Sequence, residues 1–440
     1  MKPIITLLLS LTLASIVPAQ ETKTPFAKAA SRGFSIPQID LNDRTDLQSV
    51  ISKHDVTYMG HPSSVLLDDN KTMIMAYLDK HGRGNIMWRR SEDAGRTWSE
   101  DLPLPDGWGG TLTIEGVDHA QFLEVPIMYK IDGPDGVQRI VMYTSGRDIY
   151  PARYTVSEDG GESWSKLKPI LAGGETIDLS IVLFSDMTKL ANGRYLFTYH
   201  EPGKVFTTTS ADGITFDKPK LAATYPEAFL CEGGFVRSPD GKQIALLMRE
   251  NNRVFNSFIS FSDDEGETWS EPRQMPDSLI GDRHQHTYTP DGRLFISFRD
   301  RGAGSPTVGD WVGWVGTYED LQTGAEGQYR VRMKDNFKGN DCAYPSQHRL
   351  PDGTLFAATY GGWEEGAPNY LIAFHFKIEE LDALAAKALP EKVAVFERDD
   401  TYGYRTPSLV TSKNGDLLAF IERRKPDQPQ SDMMLVENFR

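Results

Sequence analysis

The sequence predicts an all-β protein, and within that class a six-bladed β-propeller. A short motif containing Ser, Asp, Gly and an aromatic residue recurs along the chain, tight-turn signals separate short apolar runs, and those runs alternate with the period of strands. Short strands with turn signals about 8–12 residues apart are typical of all-β proteins. Four such strands in each unit of about fifty residues are typical of propellers.

The recurring motif is written SEDAGRTW, SEDGGESW and SDDEGETW, beginning at Ser91, Ser157 and Ser262, and a shortened copy, SADGITF, begins at Ser210. In each copy the Asp can accept hydrogen bonds from the amides of its own turn, the Gly can adopt a positive φ, and the aromatic residue can pack between sheets. We therefore interpret these Asp residues as structural, and we expect the catalytic residues elsewhere.

Asp-Gly and Asn-Gly turns mark where one strand of each unit ends and the next begins, because Gly accepts the positive φ that a tight hairpin needs. They occur at Asn192-Gly193, Asp240-Gly241, Asp291-Gly292 and Asp352-Gly353. Counting an apolar strand plus its turn gives six units, which begin near His61, Phe122, Ser185, Cys231, His284 and Ala343. The units fill residues 54–378, which we predict to be the propeller domain.

Residues 1–19 have the three parts of an export signal. Lys2 supplies the positive start, the apolar run extends from Ile4 to Val17, and Val17-Pro18-Ala19 is a small-residue cleavage site. The apolar run is shorter than a membrane-spanning helix. We expect a mature protein that is secreted or periplasmic and is not inserted in a membrane.

The chain is acidic, with 47 Lys and Arg against 62 Asp and Glu and a formal net charge of −15. This balance argues against nucleic acids and anionic membranes as partners, since both need a basic face. An anionic ligand would need a local arginine cluster. The two cysteines, Cys231 and Cys342, predict either two buried thiols or one disulfide, and a single pair is not a disulfide scaffold.

Three intact motifs and one shortened copy on a six-unit β repeat resemble the sialidase (neuraminidase) superfamily. The resemblance implies a six-bladed propeller of the sialidase type, a glycan or oligosaccharide substrate and no cofactor. Sialidases place their functional residues on the inner strands. Three arginines hold the substrate carboxylate, a tyrosine with a glutamate beside it is the nucleophile, and an aspartate is the acid/base.

Several of these functional residues are matched by short segments of the sequence that are similar to the family's motifs. LCEGGFVRSPDGKQIALLMREN is similar to the family's glutamate unit and places Glu232 and Arg249 in those roles. DCAYPSQHRLPDGTLFAATYG is similar to the tyrosine unit and places Tyr344 as the nucleophile. GDRHQHTYTPDG puts Arg283 just before an inner strand, where it is a candidate third arginine.

The first unit departs from the family pattern. In GHPSSVLLDD, His61 stands where the first arginine is expected, and in MAYLDKHGRGN, Asp79 and His81 stand where an acidic residue and a second arginine are expected. Arginine is always charged and forks two hydrogen bonds onto a carboxylate, whereas histidine does neither reliably. The change argues against sialic acid itself and for a related glycosidic substrate. We take Asp79 as the candidate acid, and His61, His81 and His284 as candidate substrate contacts.

His284 and His286 fall on one face of a predicted strand, which raises the alternative of a metal site. No third ligand is signalled in the sequence, and we predict no metal.

The C-terminal part contains a helical pattern followed by another strand repeat. We predict a helical connector over residues 379–391, because Ile378, Leu381, Leu384 and Ala385 fall on one face of a helix and Pro390 ends the pattern. Residues 392–440 contain YGYRTPSLV and AFIERR, in which Arg405 and Glu422 match a sialidase first unit better than the chain's own first unit does. We interpret 392–440 as a partial extra β unit, either the start of a truncated second propeller or an extra partial blade.

Three hypotheses for function follow. The leading one is an exported sialidase-like exo-glycoside hydrolase that removes a terminal acidic sugar, with Tyr344 as nucleophile, Glu232 as its base, and Arg249 with Arg283 as anion contacts. The second is a polysaccharide lyase that uses His and Tyr on uronates, and the third is a non-catalytic glycan-binding propeller.

Overall fold

The computed structural model describes residues 33–109, 123–145, 151–177 and 182–388, together with the strands Thr111–Ile114, Val117–Ala120, Gly403–Thr411, Leu417–Arg424 and Asp432–Phe439. The predicted export signal lies outside the described residues. The chain divides into two compact units, Met1–Ala385 and Ala386–Arg440.

The first unit consists of mainly antiparallel sheets that follow one another along the chain. Among the described residues, five of its sheets have four or more strands and a sixth has three. The first three sheets in chain order are Gly60–Leu66, Met73–Leu78 and Ile86–Ser91; then Ile127–Asp132, Gln138–Thr144, Arg153–Ser157 and Lys168–Pro169; then Asp186–Lys189, Tyr195–Glu201, Lys204–Ser210 and Lys220–Thr224, extended by Leu171–Ala172, Glu175–Thr176 and Thr215–Phe216.

The other three sheets complete this unit. They are Leu230–Arg237, Ile244–Glu250, Phe258–Ser262 and Arg273–Gln274; then Gly281–Tyr288, Leu294–Asp300, Trp311–Gly316 and Tyr329–Lys334 with Gln38–Asp40; then Ser346–Arg349, Leu355–Gly361 and Tyr370–Phe376 with Gln48–Ser52. Two short pairs are Arg83–Gly84 with Leu123–Glu124, and Thr111–Ile114 with Val117–Ala120. The all-β propeller prediction is confirmed, whereas the count of six blades stays a prediction.

The second strands of three sheets are buried along their whole length. Every residue of Met73–Leu78, Leu294–Asp300 and Leu355–Gly361 is buried. This pattern arises because each sheet packs between two neighbours, as in other strands covered on both sides. The apolar clusters accordingly join adjacent sheets: one contains Phe184, Phe197 and Phe216 of one sheet together with Tyr143 of the sheet before it.

Two strands that precede residue 54 complete sheets near the other end of the repeat. Gln48–Ser52 pairs antiparallel with Tyr370–Phe376, and Gln38–Asp40 pairs parallel with Tyr329–Lys334. The last sheet of the repeat therefore takes its outer strand from the segment that leads directly into the first sheet. This pairing covers an edge strand that would otherwise expose unpaired backbone groups.

The repeated motif forms the turn that the sequence predicts. In the copy at Ser262, Asp264 Oδ1 accepts hydrogen bonds from the Thr268 amide at 2.8 Å and from the Ser262 hydroxyl at 2.8 Å, and Oδ2 accepts from the Thr268 hydroxyl at 2.5 Å. Gly266 has a φ of 87°. The copies at Asp93 and Asp159 make the same bonds, which confirms the structural interpretation of these Asp residues.

The two α-helices have recognisable ends. Tyr318–Thr323 begins with a capping box between Thr317 and Asp320 and ends at Gly324, which has a φ of 78°. Ile378–Ala388 buries Ile378, Leu381 and Ala385 against the adjacent core, on the face that the sequence predicts. Short 3₁₀ helices span Thr45–Leu47 and Asp277–Leu279. No helix among the described residues is long and apolar enough to cross a membrane.

The second unit contains one antiparallel sheet of Gly403–Thr411, Leu417–Arg424 and Asp432–Phe439. Its first strand has a register shift between Arg405 and Ser408. The interpretation of this sheet as the start of a truncated propeller stays a prediction.

Candidate active site

The candidate site is positioned by an irregularity that recurs in the first strands of the sheets. The strand register shifts between Gly60 and Ser63, between Cys231 and Gly234, and between Asp282 and Gln285. Each shift is a β-bulge, which bends a strand and re-aims a side chain.

Each of these three bulges contains one non-glycine residue with a positive φ. These residues are His61 at 57°, Glu232 at 48° and Arg283 at 63°, and Phe184 (47°) and Ala343 (56°) have the same conformation just before the first strands of two other sheets. A positive φ is uncommon for residues with a side chain and costs about 1–3 kcal/mol. Of these five residues in or just before first strands, three are candidate site residues.

Tyr344 and Glu232 meet although 112 positions separate them in the chain. The Tyr344 hydroxyl donates a hydrogen bond to Glu232 Oε1 at 2.6 Å. Arg249 Nη1 donates to Glu232 Oε2 at 2.9 Å and to the Tyr344 oxygen at 3.4 Å. Both partners are almost fully buried, with 9 % of Tyr344 and 6 % of Glu232 exposed. The structure thus brings together three residues that the sequence analysis placed in one site.

The surroundings push the pKa values of the pair in opposite directions. Burial raises the pKa of Tyr344, and the negative charge of Glu232 raises it further. Burial alone would also raise the pKa of Glu232, but the charges of Arg249 and Arg283 and the hydrogen bond from Tyr344 more than offset it, so that pKa lies well below its usual range. The resting pair is therefore a neutral phenol that donates to a carboxylate.

A buried carboxylate, Asp282, holds arginines around this pair. Its oxygens lie 2.7 Å from Arg253 Nη1, 2.7 Å from Arg299 Nη2 and 3.2 Å from Arg249 Nε, and Asp282 is fully buried. Arg301 Nε lies 3.8 Å away. Several guanidinium groups therefore share one carboxylate, which leaves a local excess of positive charge.

Arg283 also lies beside the Tyr344 ring. Its guanidinium is 5.5 Å from the centre of the Tyr344 ring, and Nη1 donates to the Ser185 carbonyl at 2.5 Å. Within the described part of the chain it has no carboxylate partner at ion-pair distance. It is thus a cation that no described carboxylate holds in an ion pair, although its charge acts to lower the pKa values of Glu232 and Asp186.

His61 packs directly against the nucleophile candidate. Its ring centre lies 4.9 Å from that of Tyr344 and 4.6 Å from that of Tyr360, and its Nε2 is 3.2 Å from the Tyr360 hydroxyl. Burial, together with the nearby His81, lowers the pKa of His61 to about 3. His61 is therefore neutral at ordinary pH and does not supply the positive charge that an arginine there would supply.

Asp79 and His81 have different surroundings although they are close in sequence. Asp79 accepts hydrogen bonds from the Asn85 backbone amide at 2.8 Å and from the Asn85 side chain at 2.7 Å, so both its oxygens close a local turn. His81 Nδ1 lies 2.9 Å from Asp341 Oδ1, and its ring is 5.2 Å from that of His61. His81 therefore lies in the site, whereas both oxygens of Asp79 are hydrogen-bonded within the turn.

His284 points away from this cluster. Its Nε2 lies 2.9 Å from the Leu279 carbonyl, and its ring packs 4.7 Å from that of Phe298. Arg283 and His284 are consecutive, and consecutive side chains on a strand point to opposite faces. None of its described contacts is with another candidate site residue. Cys231 and Cys342 are both buried free thiols, one of the two states that the sequence left open.

Sequence reasoning missed Asp282, Arg299 and Asp341. Asp282 precedes Arg283, and Asp341 lies three positions before Tyr344, so each sits at the site end of a first strand. An acidic residue at that place was a usable signal. Arg299 is signalled only by its position at the end of the strand Leu294–Asp300.

Comparison with known proteins agrees with this architecture. The family model described as BNR repeat-like domain matches residues 48–356. No curated protein sequence matches the chain. A protein of unknown function from Dyadobacter fermentans has a similar structure, with a TM-score of 0.58 and 15 % identity over 74 % of this chain and 97 % of that one.

Two enzymes also have similar structures, with TM-scores and sequence identities close to those of the Dyadobacter fermentans protein. The NanB sialidase of Streptococcus pneumoniae matches with a TM-score of 0.53 and 16 % identity, over 76 % of this chain and 71 % of that one. The intramolecular trans-sialidase of Ruminococcus gnavus matches with a TM-score of 0.53 and 16 % identity, over 76 % of this chain and 98 % of that one. At this identity the likeness concerns the fold. The chain belongs to the BNR repeat-like domain family and has a propeller of the sialidase type.

Proposed function

We propose that the protein is a sialidase-like exo-glycoside hydrolase that removes a terminal acidic sugar from a glycan. The observation that carries the proposal is the 2.6 Å hydrogen bond from the buried Tyr344 hydroxyl to Glu232, with Arg249 beside both. A nucleophile bonded to an adjacent base is the arrangement that covalent catalysis needs. Tyrosine nucleophiles are a known exception to the two-carboxylate rule for glycosidases.

The protonation states of the pair suit this reaction. Tyr344 is neutral before attack, so an anionic sugar can approach it without the repulsion that a carboxylate nucleophile would exert. As the Tyr344 oxygen bonds to the anomeric carbon, its proton passes to Glu232 Oε1 and the bond to the leaving oxygen breaks. Water then attacks the same carbon, and Glu232 returns the proton to the departing Tyr344 oxygen.

The arginines favour an anionic substrate. Five guanidinium groups surround Glu232 and Asp282, and they belong to Arg249, Arg253, Arg283, Arg299 and Arg301. This local positive excess opposes the net charge of −15 of the whole chain. We assign Arg283, which has no ion-pair partner among the described residues, as the first contact of the substrate carboxylate, and Arg249 as the second. A buried cation that binds an anion in a site shielded from water has a large effect on affinity.

The neutral His61 sets this chain apart from a three-arginine clamp. It provides an aromatic surface against Tyr344 at the place where the resemblance to sialidases implies an arginine. We therefore propose that the natural substrate is an acidic sugar whose carboxylate needs only two arginine contacts. NanB and the trans-sialidase act on sialic acid glycosides, as their names state, which supports the substrate class at the level of acidic sugars.

We also propose that the three-stranded sheet of Gly60–Leu66, Met73–Leu78 and Ile86–Ser91 is one of six blades, and that the mature protein is secreted or periplasmic after cleavage following Ala19. Mass spectrometry of the protein recovered from the exporting cell tests the location. An intact Met1 in the cytosolic fraction would contradict it.

A screen of fluorogenic glycosides, including those of sialic acid and uronic acids, tests the activity. On the best substrate, Tyr344→Phe should reduce turnover by several orders of magnitude with little change in substrate binding, the behaviour of a group that acts in the transition state. Glu232→Gln should be similarly damaging.

Tyr143→Phe is a matched control, because it removes a buried hydroxyl that donates to the Gly213 carbonyl at 2.6 Å far along the chain from the site residues. It should retain turnover. Full turnover by Tyr344→Phe would contradict the mechanism. Binding without turnover by the wild-type protein would favour a glycan-binding propeller, and an ultraviolet-absorbing unsaturated product from a uronate polymer would favour a lyase.

A further inference from the structure

The proposed reaction lacks one group, a proton donor for the leaving oxygen. Without one, the bond to an alkyl oxygen would break to give an unstable alkoxide. Asp79, the acid that the sequence suggested, has both oxygens bonded within its own turn. The donor must therefore come from another side chain near Tyr344 that carries a proton and reaches the opening of the site.

A second polar cluster beside Tyr344 contains such a side chain. We call it the Asp341 cluster, and its members are Tyr58, His61, His81 and Asp341. Asp341 Oδ1 lies 2.9 Å from His81 Nδ1 and accepts from the Tyr58 hydroxyl at 3.1 Å. Asp341 Oδ2 accepts from the Asn369 side-chain amide at 3.0 Å. The carboxylate is thus held on both oxygens and fixes the His81 ring.

The geometry of this contact decides which nitrogen of His81 faces the solvent. With Nδ1 bonded to a carboxylate, Nδ1 carries a hydrogen, and Nε2 is the atom left to exchange a proton. The His81 side chain is 63 % exposed, whereas Asp341 is 29 % exposed, so the histidine is the outer member of the pair. Within the described residues Nε2 has no hydrogen-bond partner.

The position of His81 relative to the nucleophile follows from two ring contacts. His81 lies 5.2 Å from His61, and His61 lies 4.9 Å from Tyr344. His81 therefore lies next to His61, which contacts Tyr344, and it is on the more exposed side of His61. In the proposed exo-cleavage a terminal sugar would enter from this exposed side, with its leaving group directed outward.

We propose that His81, oriented by Asp341, is the general acid that protonates the leaving oxygen. This inference rests on the proposed function, and it assigns His81 as a catalytic residue and Asp341 as a positioning residue. In the first step the glycosidic bond breaks with its electron pair on the leaving oxygen, which takes the proton of His81 Nε2 while Tyr344 bonds to the anomeric carbon. In the second step neutral His81 takes a proton from the attacking water, which restores the imidazolium.

The charges around His81 support this assignment. The hydrogen bond to Asp341 raises the pKa of His81, against the opposing effects of burial and of the Arg299 charge. His61, the other titratable neighbour, has a pKa of about 3 and is neutral, and burial raises the pKa of Tyr58 well above its ordinary value. The only carboxylate in contact with His81 among the described residues is thus the one that raises its pKa.

The test compares two glycosides of the same sugar, the one that the wild-type enzyme hydrolyses best. One carries a 4-methylumbelliferyl group, which leaves without protonation, and the other carries a methyl group, which does not. His81→Gln should reduce turnover of the methyl glycoside by about 10²–10⁴-fold, the usual contribution of a general acid, and should affect the aryl glycoside far less. Tyr344→Phe should reduce both equally.

His54→Gln is the matched control, because His54 also lies beside a carboxylate, 3.4 Å from Asp101, but is not in the cluster. It should leave both rates unchanged. Equal losses on the two glycosides for His81→Gln, or no loss on either, would overturn the acid role without touching the nucleophile. Turnover that survives Tyr344→Phe would instead overturn the proposed function.

Titration of the histidine ring protons by NMR gives a readout that does not depend on turnover. The signal that is missing in His81→Gln identifies His81, and in the wild-type protein that signal should titrate above the ordinary histidine pKa. In Asp341→Asn the same signal should titrate at lower pH, and the alkaline limb of the pH–rate profile should move in the same direction. A His81 signal that does not move in Asp341→Asn would overturn the positioning role.

Discussion

The histidine His284 gives a quantitative prediction about acid stability. Its ring is buried beside Phe298, its Nε2 lies 2.9 Å from the Leu279 carbonyl, and burial lowers its pKa from 6.5 to about 4. A folded-state pKa that is depressed means that the unfolded chain binds the proton more strongly. The stabilisation is therefore present above pH 6.5 and is lost as the pH falls toward 4.

The size of the effect follows from these two pKa values. At pH 5 a group with a pKa of 6.5 binds about 0.97 proton and a group with a pKa of 4 binds about 0.1 proton, so the free energy of unfolding falls by about 1.2 kcal/mol per pH unit because of this one residue. Between pH 7 and pH 5 the loss amounts to about 2 kcal/mol. This is a large share of a typical domain stability of about 5–15 kcal/mol.

The assay is urea unfolding of wild-type protein and of His284→Gln at several pH values between 5 and 8. Glutamine can keep a hydrogen bond to the Leu279 carbonyl but has no proton to bind. The variant should be the less stable protein at pH 8 because its packing is poorer, and the gap should narrow by about 2 kcal/mol by pH 5. Comparing two proteins that differ at one residue cancels opposing groups such as Asp186, whose pKa burial raises to about 6.

Phe298→Leu is the control, because it disturbs the same packing without a titratable group. Its stability should follow that of the wild type in parallel at every pH. If the His284→Gln curve also stayed parallel to the wild type between pH 7 and pH 5, the histidine would not be buried in its neutral form, and the reasoning would be refuted.

The remaining predictions concern other parts of the molecule. Asp264→Ala should lower the free energy of unfolding by about 1–3 kcal/mol through the lost turn bonds and leave turnover per folded molecule unchanged. The control Asp263→Ala should change the free energy of unfolding little. A loss of turnover in Asp264→Ala at constant melting temperature would place the motif in the site. Deletion of residues 392–440 should leave the melting temperature and the activity unaltered. A chain that begins at residue 54 should instead lose stability, because it lacks Gln48–Ser52. Unfolding of the protein that lacks residues 392–440 would show that these residues belong to the core of the first unit. Arg249→Lys should raise KM for an anionic substrate, because lysine cannot make a forked contact; an unchanged KM would remove Arg249 from the anion site. His61→Arg should raise sialic acid turnover only if the absence of an arginine at position 61 is what limits that turnover.

The parts of the fold that are local in sequence were predictable. The Asp turns, the hairpins and the helix Ile378–Ala388 depend on residues a few positions apart, so their signals lie within one short window. The pairing of Gln48–Ser52 with Tyr370–Phe376 could not be predicted in the same way, because nothing in QSVIS specifies a partner more than three hundred residues away. Long-range pairing of this kind is decided by which sheet edge remains open.

The meeting of Glu232 with Tyr344 was predictable for a different reason. First strands of a propeller converge on one axis, so residues at the start of different units come together whatever their separation in the chain. The same argument failed for His284, since it treats every residue near a strand start as equivalent. It also failed for Asp79, because it could not show that Asn85 binds both oxygens of that carboxylate.

The repeated bulge explains why neighbouring residues have such different roles. At His61, Glu232 and Arg283 the chain accepts a strained positive φ, and in each case the strained residue contributes a side chain to the cluster around Tyr344. The residue after it continues the strand, as His284 does when it packs against Phe298. Ala343 has the same conformation without a polar side chain, and there the following residue, Tyr344, enters the site. Among the described residues, five of the six sheets of the first unit have one strained position in or just before the first strand, and the character of the site depends on which residues occupy three of them: a carboxylate at 232, a cation at 283 and a neutral aromatic ring at 61. That ring at 61 separates this chain electrostatically from a three-arginine site while leaving its architecture unchanged.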